Sequence, residues 1–384
     1  MDARQVALRL ASFYFVYFLL IGAFQPFFPL YLKSLGLSAA DIGVLLSINP
    51  LVRAVGPNVW AWLADHRGER VTLTRLSAVG CVVCFALVMW GTSFTWLWIS
   101  ILILNLFWCG TLPLMEASTF SHLRGQLGLY GRIRVWGSFS YVIAVVGLGY
   151  FFEWAPISAV LWVLLLIFIG IAWSSYLLPA DKVDVRAGPK PPIGEILRQR
   201  EVIALLGACL FMSMAHGPYN TFFSIHLEEH GFSKSTIGWL WAIGVLAEVG
   251  VFYAIQTLHK RFTVKELIAF SLACAVVRFV FIGWLIAIPG IAWLSQVLHG
   301  ATFGVFHAAA LAAIHTRFKE GFQARGQALY TSIGFGIGGS IGGLYSGFAW
   351  EHLGPGATFG LGALCALIAL GLILKWWPRS ENSR

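Results

Sequence analysis

Charged residues are scarce in this sequence of 384 residues. Asp, Glu, Lys and Arg together account for 11% of it, whereas apolar residues account for 58% and the mean hydropathy is +0.78. A soluble domain has roughly 25% charged and 45 to 50% apolar residues, so this composition excludes one. Segments of alternating polarity, about ten residues long, are also missing, which excludes a membrane β-barrel. We therefore predict an all-α integral membrane protein, because helices satisfy their own backbone hydrogen bonds in lipid.

The apolar residues form twelve runs, each long enough to cross a hydrocarbon layer roughly 30 Å thick. We predict one transmembrane helix for each run: residues 8–33, 41–64, 72–91, 95–119, 132–153, 156–178, 201–227, 236–259, 264–287, 290–317, 326–350 and 355–377. The first run follows Arg4 and Arg9, but no cleavage pattern follows it, so we expect it to be retained as a helix. The longest connection, residues 179–200, is too short for a separate catalytic domain.

Groups of reactive side chains are missing as well. The six cysteines all fall inside predicted helices, and the C-x-x-C spacing of Cys81 and Cys84 lacks further candidate ligands. We interpret these cysteines as small apolar residues packed in helices. The sequence contains no recognisable nucleophilic or metal-binding group, so we expect neither an enzyme nor a cofactor or metal.

The net charge of +9 arises from 26 basic and 17 acidic residues. If the N-terminus is cytoplasmic, most Lys and Arg residues fall in connections on the cytoplasmic side, as the positive-inside rule requires. We therefore predict that both termini are cytoplasmic and that the chain lies in a plasma membrane, the inner membrane of a bacterial cell. The basic excess then reflects orientation and does not indicate a nucleic-acid partner.

An internal repeat appears when the sequence is shifted on itself by 195 residues, which aligns residues 22–43 with residues 217–238. Eight of the 22 aligned positions are identical: Gly22/Gly217, Phe27/Phe222, Phe28/Phe223, Leu32/Leu227, Gly36/Gly231, Ser38/Ser233, Ile42/Ile237 and Gly43/Gly238. The same shift aligns Arg53 with Glu248. We therefore predict two six-helix halves, residues 1–179 and 201–384, joined by a cytoplasmic linker at 180–200. Because six is even, both halves begin on the same side of the membrane and the repeat is parallel.

Ionisable residues within the predicted helices are few, and each costs about 2.5 to 3.5 kcal/mol to place at the centre of the membrane. They are therefore candidates for function: Arg53, Glu116, Glu248, Arg278, His216, His299 and His307. Arg53 and Glu248 occupy equivalent places in the two halves, so we expect them to approach each other across a central cavity. A purely structural salt bridge between the halves is the alternative.

Two of the histidines lie on the predicted tenth helix, eight residues apart. At 100° per residue, His299 and His307 are separated by about 80° around an α-helix and by about 12 Å along it. Because an unperturbed imidazole titrates near neutral pH, both are candidates for proton transfer. The alternative is that they are packing residues.

Residues 61–70, between the second and third predicted helices, resemble the loop signature of the major facilitator superfamily. Asp65, Gly68 and Arg70 match it. Three positions depart from it: Ala61, His66 and Glu69. The resemblance implies a gate formed by Asp65 and Arg70, since an acid at a helix end can pair with basic groups in only one of two states. It also implies a substrate site between the halves, near the midplane.

Residues 115–117 and 130–138 resemble the helix 4 to 5 region of lactose permease and its relatives. In that family a helix 4 glutamate and the second arginine of a G-R-x-R pair bind the substrate, and an aromatic residue stacks on it. The resemblance assigns these roles to Glu116, Arg134 and Tyr141.

In the second half, the surroundings of Glu248, Arg278 and His299 are similar to the helix 8 glutamate, helix 9 arginine and helix 10 histidine of the same family. Asn220 would be a helix 7 contact with the substrate. Thr302 replaces the family's helix 10 glutamate, so proton coupling cannot simply be transferred.

The combination of Arg53, Glu248 and Arg278 with residues 18–43 and 296–309 is closer to the phenylpropionic acid transporter family, which carries charges at these places. This resemblance spans both halves. It implies a proton-coupled importer of a small aromatic carboxylate such as 3-phenylpropionate, working by alternating access. We also expect the chain to be a monomer.

In this hypothesis Arg53 or Arg278 binds the carboxylate, because a guanidinium can bind it in a bidentate manner. Tyr141 contacts the ring, and Glu248 or Glu116 carries the proton with His299. The alternative is a sugar or nucleoside proton symporter of the lactose permease type, in which Glu116 and Arg134 bind hydroxyl groups. Efflux of lipophilic compounds and a sensor without transport are two further alternatives.

Overall fold

Helices dominate the computed structural model, which describes residues 3–123, 127–179, 193–318 and 322–377. We number its α-helices in chain order: α1 Ala3–Ser34, α2 Ala39–Arg53, α3 Gly56–Arg67, α4 Arg70–Val88, α5 Phe94–Leu123, α6 Leu127–Trp154, α7 Val160–Tyr176, α8 Gly194–Leu197, α9 Arg200–Ala215, α10 Gly217–Glu229, α11 Lys234–Arg261, α12 Val264–Leu285, α13 Pro289–His299, α14 Phe306–Arg317, α15 Gln323–Leu329 and α16 Gly339–Trp376. Two π-helical segments, Gly300–Val305 and Tyr330–Gly338, join α13 to α14 and α15 to α16. No strand occurs among the described residues.

The membrane-spanning helices agree with the prediction. Within the described ranges, 11 helical segments are long and apolar enough to cross a membrane. The last of them, Gln323–Trp376, contains 54 residues and covers both the eleventh and the twelfth predicted helix. It is interrupted at Gly354, whose φ of 82° and ψ of 172° are not helical and which precedes Pro355. The predicted fold class, an all-α membrane protein with about twelve helices, is confirmed.

Contacts divide the chain into two compact units. The first comprises the described residues of Met1–Leu37, Val55–Gly188 and Ser233–Trp239, and the second those of Ser38–Ala54, Pro189–Phe232 and Leu240–Arg384. The units differ from the sequence halves because α2 is grouped with the second half and the first part of α11 with the first half. The division at 1–179 and 201–384 remains a prediction about the repeat. Residues 180–192 of the predicted linker lie outside the described residues.

The turn before α2 and the turn before α11 explain two of the repeat identities. Gly36 and Gly231 have φ angles of 77° and 78°, in the left-handed region that glycine enters without steric cost. Ser38 then accepts a hydrogen bond at Oγ from the N–H of Asp41 (3.1 Å). Ser233 accepts one in the same way from Thr236, at 3.2 Å. Each serine thereby caps the helix that follows it.

Close backbone packing explains the identical glycines near the starts of α2 and α11. A Cβ atom at Gly43 would lie 2.7 Å from the Cα of Gly347, and one at Gly238 would collide with the carbonyl oxygen of Val145. Small residues therefore allow these helices to approach closely, as in other membrane helix pairs. The identical apolar residues are all buried: Phe27, Phe28, Leu32, Ile42, Phe222, Phe223, Leu227 and Ile237.

Candidate functional site

The ionisable residues predicted to matter form two clusters, one within each unit. The cluster of the second unit is built around Glu248 on α11 and His299 at the end of α13. His299 Nε2 lies 2.7 Å from Glu248 Oε1, and the two side chains are only 10% and 16% exposed. The family resemblance named these two residues, and the structure brings them into direct contact. A contact of this length is a hydrogen bond between the imidazole and the carboxylate.

Arg278 on α12 belongs to the same cluster and is completely buried. Its Nε donates to the carbonyl oxygen of Ser295 at 2.8 Å, and its Nη1 donates to Thr302 Oγ1 at 3.2 Å. Its Cζ lies 4.2 Å from the centre of the Tyr219 ring. Within the described part of the chain, Nη2 is buried and has no hydrogen-bond partner. A buried N–H of a charged group is costly when it is unpaired, so this atom is where an anion would gain most.

Aromatic rings continue the cluster along the chain from His299. The ring of His299 is stacked on Phe303 at a centroid distance of 5.6 Å and an interplanar angle of 17°. Phe303 is stacked in turn on His307 at 5.9 Å and 5°. His307 Nδ1 lies 2.7 Å from the hydroxyl oxygen of Tyr330. We call His299, Phe303, His307 and Tyr330 the ring column.

The π-helical segment Gly300–Val305 explains why the ring column is straight. An α-helix would rotate His307 by about 80° from His299. A π-helical turn, with i→i+5 hydrogen bonds, contains more residues and therefore rotates the chain by less per residue. The smaller rotation per residue offsets the 80° difference and brings both imidazoles onto one face of the helix. Residue spacing alone does not predict this segment, and Phe303, Tyr219 and Tyr330 were not predicted as site residues because aromatic residues are abundant throughout the chain.

Two other predicted residues of the second unit lie close together in sequence but differ in exposure. His216, between α9 and α10, is buried, and its ring lies 6.1 Å from that of His299. Its Nδ1 donates to the carbonyl oxygen of Met212 at 2.9 Å. Asn220, one turn further along on α10, is exposed. His216 therefore belongs to the buried cluster, while a substrate contact by Asn220 remains a prediction.

Arg53 is not paired with Glu248 in this structure. It is the last residue of α2, its side chain is exposed, and no contact between described residues joins it to Glu248, which instead contacts His299. The helix is interrupted after Arg53, between Pro50 and Pro57, whereas α11 continues without a break through Glu248. The two residues are equivalent in sequence, but the helix continues beyond only the second. Their approach across a central cavity remains a prediction.

The first unit holds the second cluster, around Tyr130 on α6. The Tyr130 hydroxyl donates to Glu116 Oε1 at 3.4 Å, and Arg134 lies one turn further along the same helix. The Cζ of Arg134 is 3.8 Å from the centre of the Phe18 ring. Tyr141, which the resemblance named as a stacking residue, is buried, with 5% of its surface exposed. Glu116 and Arg134 therefore both lie near Tyr130.

The predicted gate, Asp65 and Arg70, lies at the turn between α3 and α4. Gly68 ends α3 with a φ of 67°, and Arg70 begins α4. Arg70 Nη2 is 3.9 Å from Asp65 Oδ1, and the Asp65 side chain is 60% exposed. An exposed pair at this distance contributes little stability, so it can break when the turn moves. Its role as a gate remains a prediction.

Comparison with known proteins identifies relatives of the whole chain. The model of the MFS_1 like family matches residues 7–361. The "Probable 3-phenylpropionic acid transporter" of Escherichia coli (strain K12) is 31% identical over 379 residues, which cover 96% of this chain and 97% of the relative. The "Maltose permease" of Geobacillus stearothermophilus is 24% identical over 387 residues, 97% of this chain and 94% of the relative.

Solved structures show the same fold. A crystal structure of a mutant of the nucleoside transporter NupG aligns with a TM-score of 0.88 and covers 97% of this chain and 100% of the other. Its sequence identity is 16%, so the similarity concerns the fold alone.

Proposed function

The chain belongs to the MFS_1 like family and is a secondary transporter of the major facilitator kind, and we propose that it imports a small aromatic carboxylate together with protons by alternating access. It is a multi-pass membrane protein and not an enzyme, and it acts on a small-molecule substrate. An aromatic acid such as 3-phenylpropionate is the proposed substrate. The relative from Escherichia coli bears that substrate in its name, and the cluster around Arg278 supplies the matching chemistry.

One observation carries the proposal, the unpaired Nη2 of the buried Arg278 beside the ring of Tyr219. A carboxylate that reached Nη2 would neutralise the guanidinium and complete its hydrogen bonds. An aromatic acid adds a ring, and the site is rich in rings that prefer offset-stacked or edge-to-face partners. A neutral sugar would leave Nη2 without a charged partner, so the sugar would gain less from this site than a carboxylate.

The proton is proposed to reside on the pair of Glu248 and His299. Their 2.7 Å contact lies in the same cluster as Arg278, so the charge of a bound carboxylate and that of a proton act on the same few side chains. Binding both would leave the cluster with less net charge than binding either one. A cluster with no net charge lowers the free-energy cost of the conformational change that closes the site on one side of the membrane and opens it on the other. His307, at the far end of the ring column, is proposed as a second group on the proton's path.

In the first unit, Glu116 and Arg134 are proposed to bind the polar end of the substrate or a proton. Tyr141 is proposed to contact the ring of the substrate. Asn220 and Arg53 are proposed as further substrate contacts, and Asp65 with Arg70 as the gate. We also propose that the chain functions as a monomer in a bacterial inner membrane, with both termini in the cytoplasm, as the distribution of basic residues predicts.

The second candidate is proton symport of a sugar or nucleoside. It is supported by the cluster of Glu116, Tyr130 and Arg134, whose carboxylate, hydroxyl and guanidinium can each bond a substrate hydroxyl. The similarity to a maltose permease and the fold shared with a nucleoside transporter are in keeping with it. In this candidate Arg278 would serve only to position Tyr219 and Thr302.

Uptake into proteoliposomes separates the two candidates. The purified protein is reconstituted, a pH gradient is imposed with the acidic side outside, and uptake of labelled 3-phenylpropionate, maltose and uridine is measured. We expect accumulation of the aromatic acid only, tenfold for each unit of pH difference if one net proton accompanies each molecule. Liposomes with no protein and a proton ionophore give the background, since aromatic acids cross lipid in their neutral form. Accumulation of maltose or uridine instead would establish the alternative and refute the proposal.

A further inference from the structure

Two exposed glutamates make the same kind of contact with backbone groups that are equivalent in the two sequence halves. Glu351, on α16, accepts a hydrogen bond at Oε2 from the backbone N–H of Ala40, at 2.9 Å. Glu153, at the end of α6, accepts one at Oε1 from the backbone N–H of Ser235, at 2.7 Å. Ala40 and Ser235 are separated by the repeat offset of 195 residues. Neither glutamate was a predicted site residue, and neither belongs to the charged clusters.

Both N–H groups lie in the first turn of a helix, where the backbone has no partner of its own. Ala40 and Ser235 are the second residues of α2 and α11. The capping serines, Ser38 and Ser233, already accept the bond from the third residue of each helix. The glutamate supplies an acceptor for the second residue, and its negative charge is attracted by the positive end of the helix dipole. Each helix start is thus capped twice, once locally and once by a distant carboxylate.

The distant carboxylate always comes from the other sequence half. Glu153 belongs to the first half and Ser235 to the second, whereas Glu351 belongs to the second half and Ala40 to the first. Helices α2 and α11 begin on the membrane side where α1 ends, and this is the outer side if the N-terminus is cytoplasmic. Both bonds therefore tie the two halves together on one side of the membrane.

Close helix packing accompanies each bond. One turn beyond Ala40, Gly43 packs against the backbone of Gly347, and the equivalent Gly238 packs against that of Val145. We call these two contacts the outer seams. In alternating access, contacts that close one side of the transporter must separate when that side opens. A seam cannot separate without breaking its carboxylate bond.

We propose that Glu153 and Glu351 are a pair of latches that hold the outer seams closed and that both must release in the same transition. The proposal rests on the alternating access of the proposed function but not on its substrate or its coupling to protons. It assigns to each glutamate a role in the equilibrium between the closed and open outer sides, and none in substrate binding.

The expected strength of a latch follows from its chemistry. An exposed carboxylate that caps a helix stabilises the capped state roughly 2- to 5-fold. If both latches act on one transition and share no partner, their effects multiply, to roughly 4- to 25-fold. These factors suit a latch, because a much stronger contact would prevent the outer side from opening at all.

A cysteine placed in one outer seam reports its opening. Ser47 is 3% exposed, and its Oγ occupies the space that a Cβ at Gly343 would need, so the seam between α2 and α16 covers it. Ser47→Cys is nearly isosteric. In intact proteoliposomes, the rate of its reaction with a membrane-impermeant maleimide measures how often this seam opens. Five native cysteines are buried and Cys274 is half-buried, so the chain without Ser47→Cys gives the background rate.

The decisive variant is Glu153→Ala, which removes the latch of the other seam. We expect it to raise labelling at Ser47→Cys by roughly 2- to 5-fold, as Glu351→Ala does, and the double variant to show the product. Glu→Gln variants keep an acceptor oxygen without the charge and should give smaller increases. The matched control is Glu266→Ala, which removes a carboxylate that accepts from Thr263 at the start of its own helix and joins no halves.

The outcomes separate a latch from a simple cap. If Glu351→Ala raises labelling but Glu153→Ala does not, the glutamates only cap their helices and the proposal is overturned. It is equally overturned if Glu266→Ala raises labelling as much as Glu153→Ala, because general loosening would then explain the effect. Labelling needs no substrate, so a failed uptake screen with a positive labelling result would refute the proposed substrate and leave the latches standing.

Discussion

Replacing the buried Arg278 by methionine is expected to weaken binding of an aromatic acid strongly while leaving the protein folded. The expectation is unusual because the side chain is completely buried and makes several contacts. It depends on the balance between what these contacts contribute and what it costs to remove a guanidinium from water.

The favourable side of this balance can be summed from the structure. The bonds from Arg278 to the Ser295 carbonyl (2.8 Å) and to Thr302 Oγ1 (3.2 Å) contribute about 1.5 to 3 kcal/mol each. The contact with the Tyr219 ring, at 4.2 Å, adds about 2 kcal/mol. On the other side, burial of the charge costs several kcal/mol, and the unpaired Nη2 costs about 1 to 3 kcal/mol more. The two sides cancel to within a few kcal/mol.

Methionine has similar length and no charge to bury, so Arg278→Met should change the midpoint of thermal unfolding by only about 2 to 4 °C. Binding is different, because the carboxylate of the ligand supplies the partner that Nη2 lacks. Loss of that charge-assisted bond removes about 1.5 to 3 kcal/mol, which raises Kd roughly 10- to 150-fold. Arg278→Lys keeps the charge but not the planar fork, and an intermediate Kd is expected.

The assay is calorimetric titration of the purified protein with 3-phenylpropionate, with thermal unfolding measured on the same sample. Arg75→Met is the matched control, since Arg75 also donates to a backbone carbonyl (Ser175, 3.3 Å) and also lies against a ring (Tyr176, 5.2 Å), but on α4 and away from the cluster. Its Kd should equal that of the unsubstituted protein. Unchanged affinity in folded Arg278→Met would refute the proposed role of this arginine. An unfolded Arg278→Met would show that the guanidinium is retained for stability.

Four further substitutions test the proton pair, the ring contacts and the repeated turns. Glu248→Gln keeps a side chain that reaches His299 but removes the carboxylate charge. Uptake driven by a pH gradient should therefore be lost, and substrate exchange should be retained. Full accumulation in energised vesicles would contradict this. Phe303→Leu should weaken binding of 3-phenylpropionate by roughly 2- to 10-fold, since ring contacts contribute about 0.5 to 1.5 kcal/mol. Binding of an alkyl carboxylate should be unaffected. Equal losses of affinity for both acids would argue against a ring contact. Gly36→Ala and Gly231→Ala should each lower the free energy of unfolding by about 1 to 2 kcal/mol, because both glycines have positive φ angles. No atom lies within 4 Å of a new Cβ at either position, so steric contacts add nothing to this cost. A clear difference between the two variants would show that the turns are not equivalent.

The fold was predictable because the membrane leaves few choices. A run of about twenty apolar residues must form a helix to satisfy its backbone in lipid, and this rule located the spans without any knowledge of packing. The identities at the 195-residue offset were equally informative, since each reflects a local requirement. Gly36 and Gly231 permit a left-handed turn, Ser38 and Ser233 cap a helix, and the glycines that follow them allow close approach.

The site was predictable only in part, because its contacts depend on irregular backbone. The resemblance named Glu248 and His299, but the straight ring column depends on a π-helical segment that residue spacing does not reveal. Arg53 was expected beside Glu248 because the offset aligns them, but α2 ends at Arg53 whereas α11 continues through Glu248, a difference that the offset does not reveal. The partners of Arg278 are a backbone carbonyl and a threonine, which a search for opposite charges cannot find.

The two halves share their backbone requirements but not their charges, and this difference predicts which half carries the proposed proton coupling. The identical residues lie at turns, caps and seams, which both halves need in order to move in the same way. The charged clusters differ: the first unit pairs Glu116 with a tyrosine hydroxyl at 3.4 Å, whereas the second pairs Glu248 with an imidazole at 2.7 Å beside a buried guanidinium. Of these two pairs, only that of Glu248 includes a group that titrates near neutral pH when unperturbed. Proton coupling is therefore expected to depend on the second half, so that Glu116→Gln should lower substrate affinity yet preserve accumulation in a pH gradient. Loss of accumulation in Glu116→Gln with unchanged affinity would reverse this assignment.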